Sequence, residues 1–211
     1  MVRLYGQSLA YLKSLFSNDL EKWMAYNQRG FAGFEREHAI GVVNLARLTR
    51  TPTLLPVAFL MCLNLESAVV RGCAREDGSR EHLTTDDLCV FIDAQKRFLK
   101  ANISATLSVL AVTAPAACKD LATCGPALRR SRLTLKGKVP NLLVFDVAAP
   151  HYSRCFRTGD WEKLCSNCKA RLEARWNQKA RAIWNRLPEI LGIDVPGWAP
   201  SAPSTDAEQA R

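Results

Sequence analysis

The chain has 211 residues, 48% of them apolar and 23% charged, enough for a sizeable hydrophobic core and incompatible with the disordered, collagenous and coiled-coil classes. Its net charge of +9 is concentrated, since residues 119–186 hold fifteen of the 29 basic but only five of the 20 acidic side chains. Such a segment is either a solvated basic face or an attractor of phosphate backbones and acidic surfaces.

Apolar residues recur at helical spacing, and strand-like alternation is hardly found outside Val139–Val147. Leu4, Leu9, Leu12, Leu15 and Phe16 mark a first amphipathic helix. Ser17-Asn18-Asp19 ends it and starts a second, carrying Leu20, Trp23 and Met24. Asn27–Gly33 reads as a loop. His38–Thr49 is the third helix, with Ile40, Val43, Leu45 and Leu48 spread round it. Pro52 breaks it, and Thr53 is expected to cap a strongly apolar helix, Leu54–Leu65, that tolerates Pro56 in its first turn. Val57, Leu60 and Met61 are expected to face the core. Glu76–Arg80 is a polar turn.

Thr84, Thr85, Asp86 and Asp87 form an N-cap cluster that opens the longest helix, Thr85–Val112, ended before Pro115. Leu88, Phe91, Ile92, Phe98 and Leu99 make up its apolar face. Cys118–Leu135 contains a short basic helix. Lys136–Ser153 is the least helical part, with residues 141–150 a short strand or an extended loop. Trp161 is expected to begin the last helix, with Leu164, Cys168, Leu172, Trp176, Ile183 and Leu187 on one face, until Pro188 and Gly192 end it. The absence of any large apolar residue after Trp198 predicts a disordered tail over 199–211. The expected fold is all-α: one irregular helical domain of six to eight helices over residues 1–198, with 118–160 an irregular basic segment.

Eight cysteines are too few for a disulfide scaffold of this length. Met1–Phe16 lacks the order of a signal peptide, so a reducing compartment, cytoplasmic or nuclear, is expected. Thr51–Ser67 and Ala101–Ala117 carry few charges but too many polar residues for membrane spans, and read as buried helices of a soluble protein. Cys165-Ser166-Asn167-Cys168 places two thiols three residues apart, where one turn lets both sulfurs reach a single ion. Cys118 and Cys124 form a looser pair upstream. Together the four match the count of a closed structural site, and soft sulfur ligands favour Zn2+ over magnesium or calcium. Two other readings stay open: buried thiols, which are common, and a redox Cys-x-x-Cys, although no thioredoxin-like βαβ context surrounds it. Cys155 or His151 is a substitute ligand if one of the four is misplaced. Cys62 and Cys89 read as core residues, and Cys73 is uninformative.

His38, His82 and His151 are the three histidines, and they enter no zinc-hydrolase or deaminase pattern. There is no nucleophile elbow and no Gly-rich phosphate loop. Asp86, Asp87 and Asp93 are explained as caps and helix surface. With no assembled acid, base or nucleophile, a non-enzyme is expected. Trp161, Trp176 and Trp184 lie among basic residues, which suits either base stacking or a helix core, and no helix-turn-helix, RRM or C2H2 signature accompanies them.

The run Trp161-Glu-Lys-Leu-Cys165-Ser-Asn-Cys168, a basic helix, and then Ile183-Trp184-Asn185-Arg186-Leu187-Pro188-Glu189-Ile190-Leu191-Gly192-Ile193 resembles the end of the fungal BTB/POZ-domain protein family. Other segments are similar in order: Asn44-Leu45-Ala46-Arg47 followed by Thr53-Leu54-Leu55-Pro56-Val57-Ala58-Phe59, then Leu83-Thr84-Thr85-Asp86-Asp87, then the Cys118 and Cys124 pair. The resemblance spans roughly residues 1–193. The BTB domain itself is not found before Tyr5, and the surroundings of the Cys-x-x-Cys are more basic here than in typical members. The resemblance therefore implies only a partner-facing helical region and a cysteine site for metal or packing. The expected function is a non-enzymatic protein-interaction or scaffold module with a protein partner and no membrane partner. The alternative is a nuclear nucleic-acid-binding protein using residues 119–186. A third reading, a truncated product, would leave apolar surface exposed on residues 1–65 where a BTB domain would dock.

Overall fold

The computed structural model describes residues 2–29, 34–111, 113–138, 155–156 and 159–198. Among them the chain is all-α apart from one small hairpin. The helices are α1 (Val2–Leu15), α2 (Leu20–Arg29), α3 (His38–Leu48), α4 (Leu55–Leu63), α5 (Ala68–Arg71), α6 (Thr85–Leu110), α7 (Leu121–Lys138), α8 (Ser166–Asn185) and α9 (Leu187–Leu191). A 3-10 turn, Pro52–Leu54, precedes α4, and the strands β1 (Cys73–Ala74) and β2 (Arg80–Glu81) form the hairpin. The nine helices exceed the expected six to eight because α5 and α9 are too short to show a period in the sequence. The possible strand at 141–150, the tail 199–211 and His151 lie outside the described residues.

The chain divides into two compact units, Met1–Arg97 with Trp184–Arg211, and Phe98–Ile183. In the first unit all nine residues of α4 are buried, not only Val57, Leu60 and Met61. A helix apolar on every side must be surrounded. α3 packs on it through Ala39, Ile40, Val42, Val43 and Ala46, and α9 through Leu187, Ile190 and Leu191. Thr53 does not cap α4: the N-cap is Leu54, without a side-chain bond, because Pro52–Leu54 turns as a 3-10 helix that feeds directly into it. Trp184 is buried, stacks on Trp23 with ring centroids 6.1 Å apart, and donates its indole N–H to the Asn18 carbonyl at 2.7 Å. Trp198 closes this cluster, 5.8 Å from Trp184, and donates to its carbonyl at 3.0 Å.

The hairpin pairs Cys73 with Glu81 and Ala74 with Arg80. Its turn is set by the Asp77 carboxylate, which accepts from the Ser79 backbone N–H at 2.9 Å and hydroxyl at 2.6 Å, and by Gly78 at φ 81°. α6 starts as expected. The Thr84 hydroxyl accepts from the Asp87 N–H at 3.1 Å. Asp87 is buried rather than on the helix surface, and Arg47 on α3 donates to one carboxylate oxygen from Nε and Nη2 at 3.1 and 2.7 Å. Along α6 the buried stripe runs through Phe91, Ala94 and Phe98, whereas Ile92 and Cys89 point to solvent. Cys89 is thus not a core residue, two positions along the helix from buried Phe91.

In the second unit α6 contributes Ala105, Val109 and Leu110 to the core, α7 contributes Ala127 and Leu128, and α8 contributes Leu172, Trp176, Ala180 and Ile183. Arg130 on α7 forms a two-pronged bond to the Asp160 carboxylate, at 3.0 and 2.8 Å. The last long helix begins at Ser166, not at Trp161, which sits in the turns that lead to it. Among the described residues no helix is long and apolar enough to cross a membrane.

Candidate metal centre

Two helix starts build the site. Asp120 caps α7 by accepting from the Thr123 N–H at 3.0 Å, which holds Cys118 in the loop before the helix and Cys124 in its first turns. Cys165 directly precedes α8 and Cys168 lies in its first turn. The loop and the helix start are tied together, since the Asn167 amide donates to the Ala117 carbonyl. Lys169 packs over the Trp161 ring at 5.8 Å and donates to the Glu162 carbonyl.

This arrangement brings Cys118, Cys124, Cys165 and Cys168 together, with all four sulfurs within 4.8 Å of one another. Cys118 Sγ lies 3.6 Å from Cys168 Sγ and 3.9 Å from Cys165 Sγ. Four sulfurs bonded to one zinc at about 2.3 Å form a tetrahedron with edges of about 3.8 Å. The separations therefore fit one shared ion and are far too long for disulfides. All eight cysteines are free thiols among themselves. Cys124 and Cys168 are buried, while Cys118 and Cys165 are partly exposed.

The four sulfurs are electrostatically unequal. The backbone N–H of Lys119, then that of Cys168, stabilise the Cys165 thiolate and bring its thiol down to about 6. Burial, reinforced by the thiols of Cys118 and Cys165, pushes Cys168 well above the usual cysteine range. Burial also raises Cys124, whose sulfur accepts from the Cys165 N–H at 3.3 Å. Four anionic sulfurs this close repel one another strongly. Full ionisation requires a cation between them, and two helix N-termini add favourable dipoles. The cluster can hold a metal.

Of the substitute ligands, Cys155 is buried but stands outside this group of four. Cys62 is a core thiol, pushed up to about 12 by burial, then by the Asp87 carboxylate. The supporting groups escaped sequence reasoning. Asp120 is readable as a cap once α7 is known to begin at Leu121, whereas the Asn167 bridge and the Lys119 N–H have no sequence signal. Comparison with known proteins found no matching family model, no matching curated protein and no matching solved structure.

Proposed function

We propose that the chain is a non-enzymatic protein-interaction or scaffold module whose second unit is held by one structural zinc ion on Cys118, Cys124, Cys165 and Cys168. The carrying observation is that the four sulfurs lie at the spacing of a tetrahedral thiolate shell. Soft ligands in that geometry favour zinc. Four protein ligands complete the shell and leave no position for water or substrate, which makes the ion a clip and not a catalyst. The same four cysteines carry part of the resemblance to the helical region that follows the BTB domain in fungal proteins.

A protein partner is favoured over nucleic acid. Trp176 and Trp184 are only 2% and 1% exposed, so neither ring offers a stacking platform for bases. On α7, Leu121 and Leu133 are exposed beside Arg129 and Arg132, a mixture suited to a protein surface. Elemental analysis of the purified protein tests the clip: one zinc per chain is expected, and a metal-free, stably folded chain from zinc-replete cells refutes it. Oligonucleotide binding measured across a salt series separates the partners. Weak binding at physiological salt is expected, whereas tight binding that falls steeply with salt supports the nucleic-acid alternative.

A further inference from the structure

Burial divides the four sulfurs into two pairs that the clip alone does not require. Cys124 and Cys168 are buried, inside the first turns of α7 and α8. Cys118 and Cys165 are partly exposed, both in the chain segments before those helices, with their sulfurs 3.9 Å apart. Cys118 and Cys165 thus form the solvent side of the cluster, the side a small oxidant approaches, and Cys124 and Cys168 its inner side. The exposed sulfurs are also far apart in sequence, so a bond between them closes a loop through α7 without requiring either helix to unwind.

We infer that the centre is a peroxide-sensitive site, at which oxidation joins Cys118 to Cys165 and releases the metal; this rests on the proposed zinc clip. The oxidant is hydrogen peroxide or an alkyl hydroperoxide. One of these two thiolates attacks the O–O bond, takes one oxygen as sulfenic acid and expels hydroxide or alkoxide. The other thiolate then attacks the sulfenic sulfur, forms the disulfide and expels a second hydroxide. Two thiolates have lost two electrons and the peroxide has gained them. Either partly exposed sulfur can take the first oxygen, since Cys118 and Cys165 stand alike toward solvent and 3.9 Å from each other, while Cys124 and Cys168 are buried. The ion, left with two ligands, passes to water. A thiol reductant and zinc reverse the change.

The test uses the zinc-loaded full chain carrying Cys89→Ser, which removes an exposed thiol on α6 outside the centre. Zinc content is measured first. Hydrogen peroxide is then added in rising equivalents while a chromogenic chelator reports free zinc, and disulfides are mapped by mass spectrometry without reduction. The expected result is one zinc released per disulfide formed, with Cys118 and Cys165 as the linked pair and full recovery on reduction with zinc present. Zinc retained at several equivalents of peroxide, or release with a disulfide between other residues, overturns the inference and leaves the clip standing. A chain that holds no zinc at the first step overturns both.

Discussion

Gly72 links α5 to the hairpin at φ 74° and ψ 177°, a combination open essentially to glycine alone. A Cβ there would stand 2.5 Å from the Glu81 carbonyl oxygen and 2.7 Å from His82 Nδ1. The imidazole can swing away but the carbonyl belongs to β2 and cannot. Gly72→Ala is therefore expected to cost about 1–3 kcal/mol, read as a lower urea midpoint with an unchanged slope. An unaltered midpoint contradicts it. Glu81, in the same strand, is raised by burial, but hydrogen bonds from Asn44 and Arg75 outweigh that and leave its carboxyl below the usual glutamate range. The sign follows: a carboxyl lowered in the folded state contributes stability above the ordinary glutamate value, and that contribution disappears as pH falls through the folded value. Glu81→Gln is expected to flatten the acid limb of the stability–pH curve, measured by denaturant titration between pH 7 and pH 3. A limb as steep as that of the parent protein speaks against it.

Between elements, the clearest coupling is the Arg47–Asp87 pair, which ties the end of α3 to the start of α6. The Asp87 side chain is 4% exposed while that of Arg47 is 45% exposed, so the arginine serves chiefly to neutralise a carboxylate taken out of water. Arg47→Ala leaves that charge with the Thr84 hydroxyl as its remaining side-chain partner. A loss of about 2–3 kcal/mol is expected, from the strength of hydrogen bonds to charged groups. Arg47→Ala with Asp87→Ala should lose less than the two single costs combined, since the stranded charge is gone. Additive losses in a double-mutant cycle would show that the pair is not coupled. The cap was readable, because Thr84 and Asp87 stand three apart before an apolar run. Its partner was not: forty residues separate Arg47 from Asp87, and no spacing rule reaches that far.

For the molecule as a whole, the two units differ in what their interiors bring together. The first has α4 buried on all sides and a cluster of three tryptophans. The second gathers four thiols at the starts of α7 and α8, beside an apolar core of α6, α7 and α8 residues. Metal removal with a strong chelator is expected to lower the melting temperature and to speed amide exchange over residues 114–128 and 160–172, while α3 and α4 keep their protection. Uniform loss of protection along the whole chain, or none, is inconsistent with a clip confined to the second unit. Cys165→Ser should mimic chelation, with lower zinc stoichiometry and lower melting temperature together, because ligand binding energy is folding energy at a structural site. Zinc occupancy should also fall on acidification, as protons compete for sulfur.

Local physics was legible in the residues alone. The helices α1 to α4 and α6 to α8 follow from runs of apolar residues at helical spacing, with Asp19 before α2, Pro56 in the first turn of α4 and Thr84 before α6 marking three of the starts. These are interactions between neighbours in the chain, and an all-α fold needs little else. The candidate site was legible in kind, because thiols three and six apart near helix starts are few enough to be paired by count. What needed the tertiary structure is everything that depends on direction. Ile92 and Cys89 face solvent while Phe91 and Ala94 are buried, since one residue along a helix turns a side chain by about a quarter of a turn or more. Trp184 is a core residue because Trp23 and the Asn18 carbonyl, more than 160 positions away in sequence, are there to receive it. The division of the four cysteines into two buried and two partly exposed residues likewise follows from how the starts of α7 and α8 come together. Chain spacing does not encode that arrangement, because burial is set by which surfaces pack together and not by how far apart the residues are in sequence.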